Sequence, residues 1–358
     1  MVTTVVILKP GHFFKYCCLL LALLVTLEFV FNFAAHYNVS AGLSLFINAV
    51  VPISWKKMRS GRHGVVHDDF TQCVSHKPLC PEVPPHLDGS IKVKKKALSF
   101  RLLDNMNSDL RPGGRWCPPG CVSRHHVAVI IPYRDRPSHL KVFLRNIHPF
   151  LQKQQLDYTV YVIELVPNIP FNRALLFNIG FVESVKQHNY SCFIFHDVDL
   201  IPENDRNLYI CSGEPRHLSV AIDKHKYRLL YSTIFGGAIA LSREHFIKVN
   251  GFSNKYFGWG GEDDDMFKRL QRQNMSIIRY SSDVARYKML AHPKDVPNPN
   301  RLKLLYEGLK RFHRDGINSL RYTVVKTEFR RLFTWILVSV NPDDVMKEEN
   351  TTEATHNT

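Results

Sequence analysis

Between residues 126 and 199 the apolar pattern changes period repeatedly, and that alternation limits the folds open to the chain. "VAVIIP" at 127–132, "YTVYVIEL" at 158–165 and "CFIF" at 192–195 are short β-branched and aromatic runs, as in buried strands. Between the first two, Leu140, Phe143, Leu144, Ile147 and Leu151 recur at helical spacing, and Leu175, Ile179 and Val182 do so before the third. This β-α-β-α-β order predicts an α/β domain with a mainly parallel, doubly wound sheet. Ligands of such sheets bind beyond the carboxyl ends of the strands, at the topological switch point. The third strand runs directly into "HDVDL".

In that stretch Asp197 and Asp199 stand two apart, so persisting strand geometry turns both carboxylates to one side. Converging acids at a ligand-binding edge call for a cation, and oxygen donors favour magnesium, manganese or calcium. An acidic turn after a strand is the plainer alternative. A second acidic cluster closes "YFGWGGEDDD" at 256–265. Acids in a first helical turn are favoured by the helix dipole, so a solvated helix start is one reading. With a helix starting near Glu262, Glu262 and Asp263 stack above Met266, Phe267 and Leu270 and face inward. Asp264 and Asp265 stand four residues before Lys268 and Arg269 and read as surface ion pairs. A partly buried carboxylate beside a ring such as Trp259 suits a general base, because burial raises its proton affinity.

The 358 residues are 45% hydrophobic and include 23 Phe and 14 Tyr, enough for a globular core and too apolar for a disordered chain. The net charge of +15 suits nucleic acid, a membrane surface or an anionic small molecule. The densest basic run, "KVKKK" at 92–96, is too short to argue for nucleic acid. From Tyr16 to Ala35 the residues are mostly apolar over the length of a bilayer-spanning helix, with Glu28 and Asn32 as blemishes. Lys9 and Lys15 precede it, which predicts a cytoplasmic tail at 1–15, a signal anchor at 16–35 and a type II topology. A cleaved signal peptide centred on Tyr16 to Leu27 is the competing reading. Residues 36–78 lack a period and read as a stem, 79–340 as the lumenal catalytic domain and 341–358 as a disordered tail. Within the domain, 79–120 is rich in Pro and Gly and reads as turns and extended segments.

Outside the apolar segment stand six cysteines, Cys73, Cys80, Cys117, Cys121, Cys192 and Cys211, an even set open to fifteen pairings. Their spacing matches structural zinc sites poorly, and disulfides in an oxidising lumen are expected. N-glycosylation acceptors at Asn38, Asn189, Asn274 and Asn350 fit the same compartment.

"FNRA" at 171–174, "FHDVDLIPENDRNLY" at 195–209, "FGGAIALS" at 235–242 and "GWGGEDDD" at 258–265 closely resemble the β-1,4-galactosyltransferase family, in the branch with invertebrate β-1,4-N-acetylgalactosaminyltransferases. The resemblance runs from about Cys80 to Val340. It implies a Golgi type II enzyme with the nucleotide-sugar transferase (GT-A, Rossmann-like) fold that uses Mn2+ and inverts the anomeric centre. It assigns the metal to Asp199, Met289 and His292. Met289 alone would read as core, since a thioether is soft and manganese prefers oxygen. It assigns the UDP-sugar to Pro132, Tyr133, Arg134, Arg136, Phe171, Arg173, Asp197 and Val198. Asp263 becomes the base, Glu262 and Asp264 hold sugar hydroxyls, and Trp259 offers the sugar an aromatic face.

Galactose-transferring members usually carry Tyr before "FGG", and this chain has Ile234. The smaller side chain leaves room for an N-acetyl group, so the expected reaction moves N-acetylgalactosamine to a glycan ending in N-acetylglucosamine, with galactose as the alternative donor. The family pairings imply Cys80–Cys121 and Cys192–Cys211. Cys73 and Cys117 are extra to them and are expected to pair, tying stem to domain. Phe257 departs from the usual Trp, and Gly261 stands where xylose-directed relatives carry Arg. A second copy of the chain is a further candidate partner. A catalytically silent sugar-binding protein and a metal-dependent phosphodiesterase are the readings from other classes, the latter needing more His near the acids than the sequence supplies.

Overall fold

The computed structural model describes Cys73, residues 77–293 and residues 295–347. The anchor segment at 16–35, the stem up to residue 72, Asn38 and Asn350 lie outside the described residues. The described elements follow one another as α1 (Phe100–Met106), β1 (Arg115–Trp116), β2 (His126–Tyr133), α2 (Pro137–Lys153), β3 (Asp157–Leu165), α3 (Arg173–Gln187) and β4 (Cys192–His196). Next come β5 (Leu200–Pro202), β6 (Arg216–His217), β7 (Ala221–Ile222), β8 (Ala238–Ser242), α4 (Arg243–Lys248), α5 (Glu262–Arg272), β9 (Ile278–Arg279) and β10 (Arg286–Met289). The described chain ends with α6 (Arg301–Arg311), β11 (Thr323–Phe329), β12 (Thr334–Ser339) and α7 (Pro342–Met346).

The alternation read from the sequence forms the centre. β2, β3 and β4 are buried along nearly their whole length, as continuous apolar strands covered on both faces should be. Helix α2 buries Leu140, Phe143, Leu144, Ile147 and Leu151, and α3 is buried from Ala174 through Ser184. The packing is close: a Cβ added at Gly180 in α3 would come 2.3 Å from Ile130 Cγ2 in β2. Asn172 caps α3, its Oδ1 accepting the Leu175 N–H at 2.9 Å.

The main sheet runs β11-β12-β3-β2-β4-β8-β6-β9, with β1 also on β3. β12, β3, β2 and β4 are parallel, β8 is antiparallel to both β4 and β6, and β6 is parallel to β9. The sheet is therefore mixed, and "mainly parallel" holds for only one half. No helix lies between β4 and β8 that could carry the chain back to its starting edge, so the strands there reverse. A small sheet, β5-β10-β7, sets Met289 opposite Leu200. Because β3 and β4 flank β2, the crossovers leave in opposite directions, and the crevice between the ends of β2 and β4 is the switch point.

Three disulfides join Cys73 to Cys117, Cys80 to Cys121 and Cys192 to Cys211. In the chain-entropy view, closing a loop of some forty residues restrains the unfolded chain by about 4 kcal/mol. Two segments are more regular than their composition suggests. Within 79–120 the chain forms α1, because Ser99 Oγ accepts the Leu102 N–H at 3.3 Å and Leu103 is buried. The tail read as disordered from 341 begins with α7, where Asn341 Oδ1 accepts the Asp343 N–H at 3.1 Å.

Candidate functional site

At the end of β2 the Arg134 guanidinium lies 5.4 Å from the centroid of the Phe171 ring. Its Nε and Nη2 are buried without a hydrogen-bond partner among the described residues, and burial holds its pKa below the usual arginine range. A half-buried cation with unmet donors is a ready partner for an anion. Tyr133 is buried beside it and accepts the Arg136 N–H at 3.1 Å. Arg136 itself pairs with Asp295 at 3.3 Å near the surface.

Arg173, first residue of α3, joins the two acidic motifs. Its Nε lies 2.5 Å from Asp197 Oδ1 and its Nη1 3.3 Å from Glu262 Oε1, while Nη2 donates to the Gly237 carbonyl. Burial opposes its charge, but Asp197, Glu262 and Asp263 together raise its pKa above the ordinary value. Val198, between the two aspartates, is buried.

Asp199 is almost fully buried, with His292 Nε2 3.0 Å from its Oδ2. Burial and the neighbouring Asp197 push its carboxyl up to about 6, against the pull of His292 and Arg136. Its carbonyl accepts the Leu290 N–H at 2.8 Å, so β10 delivers Met289 and His292 to the same corner. Asp223 Oδ1 fixes the Met289 N–H at 2.8 Å. No three His, Cys, Asp or Glu side chains gather around a metal position among the described residues. One carboxylate and one imidazole, with Met289 on the strand paired alongside, fit a cation that takes its remaining ligands from substrate oxygens.

Gly261 is the N-cap of helix α5, at the end of a loop whose glycines at 258, 260 and 261 all have positive φ. The Gly258 N–H donates to the Phe171 carbonyl at 2.7 Å, tying this loop to the "FNRA" segment. Glu262 is buried, its Oε2 without a partner among the described residues, and burial and Asp263 push it up to about 7 against Arg173. Asp263 lies against the "FGG" backbone: a Cβ at Gly236 would stand 2.5 Å from Asp263 Oδ2. Burial and Asp264 raise the proton affinity of Asp263, and Arg173 lowers it.

The run of acids divides differently from the helical spacing. Asp265 is buried and forms its ion pair with Arg269 at 2.6 Å inside the core, because the inward face of α5 is Glu262, Asp265, Met266, Arg269 and Leu270. Phe267 is only half-buried. Asp264 accepts from the Tyr231 hydroxyl at 3.1 Å, and Lys268 donates instead to the Leu305 carbonyl at 3.0 Å. The Trp259 ring is 58% exposed. Ile234 is half-buried, two residues before Gly236. Asn189 and Asn274 are exposed, and Asn189 Oδ1 accepts from Arg243.

Sequence reasoning missed Tyr231, Asp223 and His139, whose Nε2 lies 3.2 Å from the Ala291 carbonyl. The only signal for Tyr231 was its place three residues before Ile234 in "YSTIFGG".

Two family models cover most of the domain: the N-terminal region of glycosyl transferase group 7 matches residues 80–212, and the N-terminal domain of galactosyltransferase matches 216–293. The chain is 47% identical to β-1,4-galactosyltransferase 1 of Mus musculus over 267 residues, 74% of this chain and 67% of that protein. It is 46% identical to β-1,4-galactosyltransferase 4 of Cricetulus griseus over 288 residues, 79% and 83% of the two chains. Among solved structures, the catalytic domain of Drosophila β-1,4-galactosyltransferase 7 in complex with xylobiose superposes with a TM-score of 0.54 at 28% identity. It covers 61% of this chain and 94% of that one, and a mutant of the same enzyme is solved with manganese, UDP-Gal and xylobiose. With the mixed α/β sheet and the ordered acidic motifs described above, these matches establish that the chain belongs to the β-1,4-galactosyltransferase family.

Proposed function

We propose that the protein transfers N-acetylgalactosamine from UDP-GalNAc, with inversion, to the 4-hydroxyl of a terminal N-acetylglucosamine on a glycolipid or glycoprotein. Asp263 carries this reading: a carboxylate of raised proton affinity seated against the "FGG" backbone, beside the Arg173 bridge between Glu262 and Asp197. Asp263 takes the proton of the acceptor hydroxyl as that oxygen attacks the anomeric carbon from the face opposite the leaving diphosphate. One base suffices, since inversion needs no covalent intermediate. Arg134, with its unmet donors, and Arg136 meet the diphosphate, Pro132, Tyr133, Phe171 and Val198 line the uridine and ribose side, and Arg173 holds Asp197 and Glu262 in place. Glu262 and Asp264 hold sugar hydroxyls, and Trp259 presents its exposed ring to a sugar face. Manganese, which the Drosophila relative binds together with UDP-Gal, would be held by Asp199, Met289 and His292 and would neutralise charge on the departing diphosphate.

Ile234 supports N-acetylgalactosamine over galactose, because it leaves open the volume that a Tyr ring would fill. Galactose transfer is the second reading, favoured by the names of the relatives. Three disulfides agree with residence in the Golgi lumen, behind the anchor expected at 16–35. The test uses a secreted form beginning at Asp69, so that Cys73 is kept. UDP release with manganese and N-acetylglucosamine is compared for the two donors. Faster turnover of UDP-GalNAc is expected; faster turnover of UDP-Gal would overturn the donor assignment, and release independent of acceptor would overturn transfer.

A further inference from the structure

Two side chains that the proposed reaction leaves unused grip the segment carrying Ile234. His217 in β6 and Arg279 in β9 are register partners across a parallel strand pair. Arg279 Nη2 donates to the carbonyls of Ser232 at 2.8 Å and Ile234 at 2.9 Å, and its Nε lies 3.1 Å from His217 Nδ1. A guanidinium can only donate, so Nδ1 accepts and the imidazole proton sits on Nε2. Nε2 then donates to the Gly236 carbonyl at 3.1 Å, which also accepts from Ser219 Oγ at 3.0 Å. Burial and Arg279 hold His217 neutral, its pKa pushed down to about 3, so this arrangement persists at neutral pH. Three alternate carbonyls, those of Ser232, Ile234 and Gly236, are thus fixed by one cross-strand pair.

We infer that Arg279, acting with His217, is a positioning residue that fixes the distance of the 232–236 backbone from the donor sugar, and so sets discrimination at the sugar's 2-position. The inference rests on the proposed function, because it takes Ile234 to face that position. Its physical basis is scale: an N-acetyl group differs from a hydroxyl by a few heavy atoms, and a backbone free to move by a fraction of an ångström blurs so small a distinction. At its other end the same segment puts Gly236 against Asp263. Arg279 therefore braces the selector side and His217 the side of the base. A lysine cannot replace the fork, since one ammonium does not span two carbonyls and an imidazole in a plane.

The experiment compares the wild type with Arg279→Met and Arg279→Lys in the Asp69–Thr358 protein, each checked for an intact melting transition. The first readout is the ratio of kcat/KM for UDP-GalNAc and UDP-Gal. Both variants are expected to bring that ratio toward one by about tenfold, a differential change of about 1.4 kcal/mol. The second readout is hydrogen exchange of backbone amides 231–237, expected to quicken while exchange in β2 to β4 is unchanged. Equal losses for both donors, with the ratio kept, would assign Arg279 a merely structural role and overturn the inference. Unchanged exchange at 231–237 would overturn the brace itself. A wild type that turns over neither donor would sink the proposed function and, with it, the claim on selectivity, while the exchange measurement would still decide the brace.

Discussion

The cleft has two walls made by different means. The wall formed by β2, α2, β3, α3 and β4 is regular structure: its residues stand where they do because both faces of the strands are buried. The wall formed by residues 230–293 and 295–298 is mostly loop, and single hydrogen bonds and close approaches hold it, such as Gly258 to Phe171, Asn298 to Trp259 and Gly236 under Asp263. In the first wall one buried packing supplies both geometry and stability. In the second they are separable, so a side chain there can be altered with the fold kept and the chemistry lost.

The largest expected effect tests that separation. Asp263→Asn should lower kcat by about 10²–10⁴-fold, the range for loss of a positioned base, with little change in thermal melting or donor KM. The wild-type pH profile makes the same point. Only the deprotonated base accepts the acceptor's proton, and burial and Asp264 raise the proton affinity of Asp263. The acidic limb of kcat should therefore lie above the usual aspartate range, and Asp264→Asn should move it to lower pH. A limb that stayed in place in Asp264→Asn would count against Asp263 as the titrating group.

Next in size is the exception within the loop wall. Asp265 sits in the same acidic run but belongs to the core, its carboxylate paired with a fully buried Arg269 and approached by the Tyr256 hydroxyl. Asp265→Ala leaves that guanidinium short of a counter-charge and should cost about 3–5 kcal/mol in urea unfolding. Two acids of one run, Asp263 and Asp265, would then differ completely in kind, one affecting rate and the other stability.

That contrast also marks how far the sequence could be read. The strand periods and helical faces of residues 126–199 were legible because burial imposes a period, and a period survives in composition. Asp197 and Asp199 were legible because they directly follow a strand that ends at a predicted switch point. The inward turn of Asp265 was not, because its partner four residues ahead looks the same for a surface pair as for a buried one. Its burial depends on Gly308 in α6, where an added Cβ would stand 2.1 Å from Asp265 Oδ1, and on Asp315, 3.7 Å from Arg269 Nη2. The brace of Arg279 on Ser232 and Ile234 was invisible for the same reason, since it spans 45 to 47 positions with no repeat to announce it. Met289 entered through family resemblance alone, as its softness argues against it.

A smaller effect belongs to the regular wall. Gly180→Ala pushes a methyl group into Ile130 between α3 and β2, and overpacking of this kind costs about 1–3 kcal/mol. The rate per folded molecule should hold, since α3 still presents Arg173 at its first turn. Loss of both stability and turnover would show that Arg173 shifts with the helix and that the two properties are tied even more closely in this wall.

The smallest expected effect asks whether the loop wall is assembled from independent pieces. Tyr231 donates to Asp264 at 3.1 Å from a half-exposed position. A hydrogen bond to a charged group at such a site is worth about 1 kcal/mol, so Tyr231→Phe should raise the acceptor KM about fivefold and leave kcat and donor KM alone. In an Asp264→Asn background the same change should do little more, because the bond has lost its charged acceptor. If Tyr231→Phe instead altered donor selection, the Tyr231 end of the segment would be coupled to Ile234 despite the brace on its carbonyls. The loop wall would then move as one body, with a cooperativity so far assigned only to the sheet.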